Sequence, residues 1–132
     1  MSLVCTEFRG IVYPQLPVRP WGDMPITMWA ISPLAQQLIF MGYIYGRLAR
    51  VFPGFVGTRV PVSHALLITI GFFSLWHVPN FGALPFAYVV FQLFYTSILA
   101  VIPGLTRQWT GSIWPAVFIH SSINFIAWAT SY

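Results

Sequence analysis

An all-α, polytopic membrane bundle of about four transmembrane helices is the fold this sequence predicts, and three observations carry that reading. Of the 132 residues, 58% are hydrophobic and only 6% charged, against about 25% charged in an average soluble domain. The apolar residues gather in four runs, each about 18–25 residues long, which suits a helix crossing a hydrocarbon core of about 30 Å. Short stretches rich in proline, glycine and arginine separate the runs. In lipid the backbone must satisfy its own polar groups, which leaves helices or closed barrels. A barrel needs short alternating segments, and these runs are continuously apolar.

Residues 1–23 read as a mixed, partly interfacial lead-in, ahead of a membrane domain over 24–132. Glu7 and Arg9 interrupt any apolar core there, so a signal peptide is not expected. Trp21 and Trp29 suit the headgroup region. The first run extends from about Met24 to Ala49. Pro25 fits a first helical turn, Ser32-Pro33 predicts a kink, and Arg47 and Arg50 close the run. A loop with Pro53, Gly54, Gly57, Arg59 and Pro61 follows. The second run, from about Pro61 to Val78, ends in FFSLWHVPN, where Pro79-Asn80 breaks it. The third, from about Leu84 to Ile102, has no charge. Pro103-Gly104 is expected to stop it and to leave Arg107 in the next loop. Gln92 is its one strongly polar central residue, so this helix reads as a packing or lipid-facing element. The fourth run spans about Gly111 to Thr130.

The net charge of +4 comes from arginine alone. The arginines are scattered near run ends without a patch, so no nucleic-acid partner is expected. Counted by loop, they place the first and third connections in the cytoplasm and both termini outside it. The expected location is a bacterial inner membrane, with the lipid bilayer as the immediate partner. Cys5 is the only cysteine, so an intramolecular disulfide and a zinc–cysteine site are excluded.

Polar groups inside such runs carry the most information. Unpaired, each costs on the order of 2–7 kcal/mol at membrane depth, so they turn inward and mark candidate sites. His120 and Asn124 lie four apart, on one helix face, with Ser121 and Ser122 between them. They could aim an imidazole and an amide donor at one reacting centre, or they could be interhelical glue. His77 follows Phe73 by one turn and reads either as a functional group or as a capping one. His64 has no polar company and reads as interfacial. Gln36 and Gln37 point about 100° apart on a helix, so one could face the interior while the other bonds a neighbouring helix. No metal is expected, because no carboxylate lies within a run to complete a two-histidine site. A Ser-His-Asp triad fails for the same reason, and no haem-attachment motif is present. No cofactor is expected.

The order and spacing of these residues resemble the CAAX protease and bacteriocin-processing family of intramembrane endopeptidases, called CPBP or Abi. That family carries Glu-Glu-x-x-x-Arg, then Phe-x-x-x-His, then His-x-x-x-Asn. The matching segments here are SPLAQQLIFMGYIYGRL, FSLWH (Phe73 to His77) and HSSIN (His120 to Asn124), the last preceded by TGSIWPAVFI. The resemblance runs from about Ile31 to Ala127, and the chain resembles a minimal core of the family. It implies a metal-independent hydrolysis in which the first glutamate activates water, the histidines assist and the asparagine holds the oxyanion. The family positions are Gln36, Gln37, His77, His120 and Asn124, in a polar cavity built by helices one, two and four.

The sequence departs from the family pattern at the first motif. Gln36 and Gln37 stand in place of the glutamates, and Met41 in place of the arginine. A glutamine amide cannot accept a proton near neutral pH, and general-base catalysis needs a group that can. An arginine left in lipid without its carboxylate would be costly, so replacement of the whole cluster is physically coherent. The resemblance therefore implies a protease homologue with impaired or absent catalysis, whose partner would be a membrane protein or a peptide or lipidated substrate. The alternatives are a residual peptidase with a histidine base, and a non-catalytic structural or assembly subunit of a larger membrane complex.

Overall fold

The computed structural model describes residues 26–129. The lead-in over 1–23, the Met24-Pro25 start of the first run, and Cys5 lie outside the described residues. So do both carboxylates of the chain, Glu7 and Asp23.

Among the described residues the architecture is all-α, with four helices. The first, α1, is a continuous rod over residues 27–51 in which π and α turns alternate. It is π over Thr27–Ile31, α over Ser32–Gln37, π over Leu38–Ile44 and α over Tyr45–Val51. Next come α2 (His64–Leu75), α3 (Phe86–Thr110) and α4 (Trp114–Ala129). Two short antiparallel strands, β1 (Phe55–Val56) and β2 (Val62–Ser63), pinch the α1–α2 connection, with Phe55 opposite Ser63 and Val56 opposite Val62. A 3-10 segment, Val78–Gly82, joins α2 to α3.

The irregular turns of α1 have a local cause and a geometric result. Pro33 lacks an N–H and its ring crowds the carbonyl four residues back, that of Trp29; a widened turn upstream relieves the clash. The irregularity expected at Ser32-Pro33 thus takes the form of a π turn over Thr27–Ile31. In a uniform α-helix, residues four apart drift by about 40° per step. A π turn holds more than four residues, so its drift runs the other way. Alternating the two keeps an i+4 stripe on one face: Pro33, Gln37, Met41 and Tyr45 are all buried.

Capping explains the starts of α2 and α4. The Ser63 side-chain oxygen accepts the Leu66 N–H at 3.1 Å and opens α2, which places the helix start at His64 rather than Pro61. The Ser112 hydroxyl accepts the Trp114 N–H at 3.3 Å, and Pro115 then fits the first turn of α4.

The third helix corrects the sequence reading. Pro103-Gly104 does not end it; α3 continues to Thr110 and stops at Gly111. Gly111 adopts φ +69°, and its N–H bonds to the Arg107 carbonyl at 3.0 Å, a left-handed cap that glycine adopts without strain. Pro103 and Gly104 are both buried. A Cβ at Gly104 would lie 2.5 Å from Leu66 Cδ1, so this glycine lets α2 pack directly on the α3 backbone. Tertiary packing on that bare face offsets the helix hydrogen bond that Pro103 cannot make. Arg107 therefore belongs to the last turn of α3 and not to a loop.

The core joins α1, α2 and α3 through Phe40, Met41, Tyr45, Ala65, Leu66, Ile70, Phe73 and Ala100. Among the described residues, two segments are long and apolar enough to cross a membrane: His64–Gly82, with mean hydropathy 1.3, and Phe86–Thr110, with 1.8. The latter measures about 38 Å at 1.5 Å per residue. The 16 residues of α4 cover only about 24 Å, and α1 is divided among turn types. Large apolar side chains face outward, among them Phe94 at 67% and Phe118 at 74% exposure. Apolar surface on this scale is covered by lipid or protein rather than by water.

Candidate functional site

Three helices bring the candidate residues together around one aromatic ring. Phe73 is buried in the last turn of α2. Its ring centroid lies 5.7 Å from that of His77 and 5.7 Å from that of His120, edge-on in both cases. Phe40 of α1 closes the third side at 5.3 Å, and Trp76 meets Phe40 edge-on at 5.9 Å. Edge-to-face packing of this kind holds ring orientation better than simple apolar contact.

Only one of the two adjacent glutamines enters this cluster. Gln37 is 1% exposed, and its Nε2 lies 3.0 Å from His120 Nδ1. An amide nitrogen can only donate, so Nδ1 is the acceptor and the neutral ring carries its proton on Nε2. The other carboxamide atom, Gln37 Oε1, is buried and has no hydrogen-bond partner among the described residues. Gln36 turns away: its Nε2 donates to the Ser32 hydroxyl at 2.9 Å. It bonds its own helix, and not a neighbouring one.

His77 is held differently. It lies half-buried just beyond α2, and its Nδ1 lies 3.3 Å from the Ser74 carbonyl. A carbonyl only accepts, so Nδ1 carries the proton and Nε2 keeps a free lone pair. The two imidazoles thus have opposite tautomers. One offers an N–H and the other a basic nitrogen, a pairing that can donate to and accept from one polar group.

The sequence reading gives several supporting residues no role at the site. The Ser74 hydroxyl donates to the Leu93 carbonyl at 2.6 Å, and Asn80 Nδ2 donates to Gln92 Oε1 at 2.8 Å. These two bonds pin the end of α2 and the 3-10 segment to α3, and so fix His77 between them. Their signal is the polar residue itself: each is a hydrogen-bonding side chain in an otherwise apolar run. Arg107 donates from Nε to the Met41 carbonyl at 3.1 Å, and its guanidinium lies 5.6 Å from the Tyr45 ring centroid.

Asn124 is half-buried on α4, one turn beyond His120 on the same face. His64 sits exposed at the other end of α2, away from this cluster. Among the described residues no three His, Cys, Asp or Glu side chains gather as a metal site would need. An apolar groove of about 370 Å³ is lined by Trp29, Ser122, Phe125 and Ile126. Ser122 points about 200° around the helix from His120, so the groove lies on another side of α4.

A buried carboxamide and two half-buried imidazoles gathered on Phe73 define an all-α protein with a polar cluster between apolar helices. The family follows from the sequence as a whole: the Type II CAAX prenyl endopeptidase Rce1-like family model matches residues 23–126. The chain belongs to this intramembrane family, in agreement with its resemblance to CPBP proteins. A search of curated proteins gave no match, and a search of solved structures gave none.

Proposed function

We propose that this chain is a non-catalytic Rce1-like relative, one that keeps the family's polar centre and uses it to bind a membrane partner or a lipidated peptide. All four helices cross the bilayer in this reading. Gln36, Gln37, His77, His120 and Asn124 occupy the family's site positions, within a membrane domain over 24–132. The observation that carries the proposal is the Gln37 carboxamide facing His120 at 3.0 Å. Gln36 stands where the resemblance places the water-activating glutamate, and Gln37 beside it is a carboxamide too; neither accepts a proton from water. What remains is a hydrogen-bonding site. Gln37 Oε1 is an unused acceptor, matched to an N–H or O–H donor of a ligand.

A second reading has one specific support. The free Nε2 of His77, implied by its contact with the Ser74 carbonyl, is a base that could replace the glutamate and sustain slow hydrolysis. A peptidase assay on the native chain, beside Gln36→Glu/Gln37→Glu/Met41→Arg, separates the two. No cleavage of a prenylated peptide by the native chain, with measurable binding of it, is expected. Native cleavage that disappears in both His77→Ala and His120→Ala would overturn the non-catalytic reading. A stoichiometric protein that co-purifies through detergent extraction, with no peptide binding, would favour the assembly-subunit alternative.

A further inference from the structure

We infer that Arg107 is a positioning residue. By gripping α1 at Met41 and Tyr45, it fixes the helix rotation that aims the Gln37 carboxamide at His120. The inference stands on geometry alone and holds whether or not the site is catalytic.

The wide turn Leu38–Ile44 follows directly on Gln37. Such a turn is a soft element. Its carbonyls bond five residues ahead instead of four, and it can revert to α by shifting register. A shift of one residue would rotate everything upstream by about 100°. Gln37 would then leave His120, and Gln36 or Leu38 would face the bundle in its place. Burial of the stripe favours one register, and a bond to the backbone of the turn itself would lock it.

Arg107 supplies the hold from outside. Its Nε donates to the Met41 carbonyl at 3.1 Å, in the middle of the wide turn. Its guanidinium also covers the Tyr45 ring, 5.6 Å from the centroid. Gln37, Met41 and Tyr45 form successive positions of one buried stripe, so fixing two of them fixes the third. The two contacts hold the middle of the wide turn and the residue just past its end. Among the described residues there is no carboxylate to draw the guanidinium elsewhere.

The neighbouring residue offers a built-in control. Gln108 accepts the Ser63 N–H at 2.9 Å and donates to the Pro61 carbonyl at 2.8 Å. The last turn of α3 therefore holds α1 through one side chain and the start of α2 through the next. Loss of either loosens the bundle, but only loss of Arg107 frees the rotation of α1.

The test is solid-state NMR on the full chain in lipid bilayers, with ¹⁵N-labelled histidine and glutamine. The measured signal is the correlation between Gln37 Nε2 and His120 Nδ1 across their hydrogen bond. The wild type shows it, Arg107→Ala loses it, and Arg107→Lys, which can still donate to the Met41 carbonyl, keeps it. Gln108→Ala keeps it despite a lower melting temperature. Should Arg107→Ala fail to fold, Tyr45→Leu removes the second contact and is expected to weaken the same signal. Full intensity in Arg107→Ala or in a folded Tyr45→Leu overturns the inference. So does equal loss in Gln108→Ala, or a wild type without the correlation.

Discussion

Two adjacent glutamines have different fates because a single peptide step turns a helix by about 100°. Gln36 is half-buried and bonded within its own helix, so Gln36→Glu is expected to shift stability by less than about 1 kcal/mol, since Ser32 can donate to the carboxylate instead. Gln37→Glu meets a buried site. It is expected to cost about 1–3 kcal/mol, tempered by the His120 imidazole as partner. Thermal melts of the two variants in one detergent check both values, and equal losses would contradict the division of roles. Phe73 touches Phe40, His77 and His120 at once. Phe73→Ala should therefore cost about 3–5 kcal/mol, with Phe73→Leu much milder by the same measurement. The one-turn spacing of Phe73 and His77 makes their contact readable in the sequence. The choice between Gln36 and Gln37 is not, because neighbours on a helix are told apart only by the rotation of the whole rod.

At the level of elements, the sequence speaks clearly about where helices are and poorly about how they turn. Apolar runs locate all four helices, since apolarity is a property of composition. The π turns of α1 leave no such trace. They arise from Pro33 locally and from packing along the buried i+4 stripe. Pro103-Gly104 reads as a stop because both residues disfavour helix in isolation. In the bundle, Gly104 is the point where Leu66 comes closest, and the packing gained there outweighs the propensity. Gly104→Val should push α2 from α3 and cost about 1–3 kcal/mol or more, measured by denaturation in detergent. Gly111→Ala places a side chain at φ +69° and should cost about 1–2 kcal/mol. Deleting one residue from Leu38–Ile44 would convert that wide turn to α, and the seven remaining steps to Tyr45, about 700° in all, would keep Gln37 on the buried face. Retention of the Gln37–His120 correlation in the deletion would show it.

For the molecule as a whole, charge and polarity are segregated. Arg47, Arg50, Arg59 and Arg107 gather at the end where α1 and α3 finish, while His77 lies beyond the opposite end of α2. The sequence makes this segregation visible through arginine counting alone, though it assigns Arg107 to a loop. Phe94 faces outward at mid-α3. If α3 spans the bilayer, Phe94→Arg should raise the insertion free energy by about 2.5–3.5 kcal/mol, whereas Trp109→Arg, near the helix end, should leave insertion in a translocation assay nearly unchanged. Finally, α2 begins at His64 and ends just before His77, about 20 Å farther along the axis. If α2 spans the bilayer, exposed His64 marks one face of it while half-buried His77 stays shielded. In sealed vesicles, an impermeant acylating reagent added from outside would modify His64 only when that face points outward, so that a single peptide map reports which way the protein is inserted.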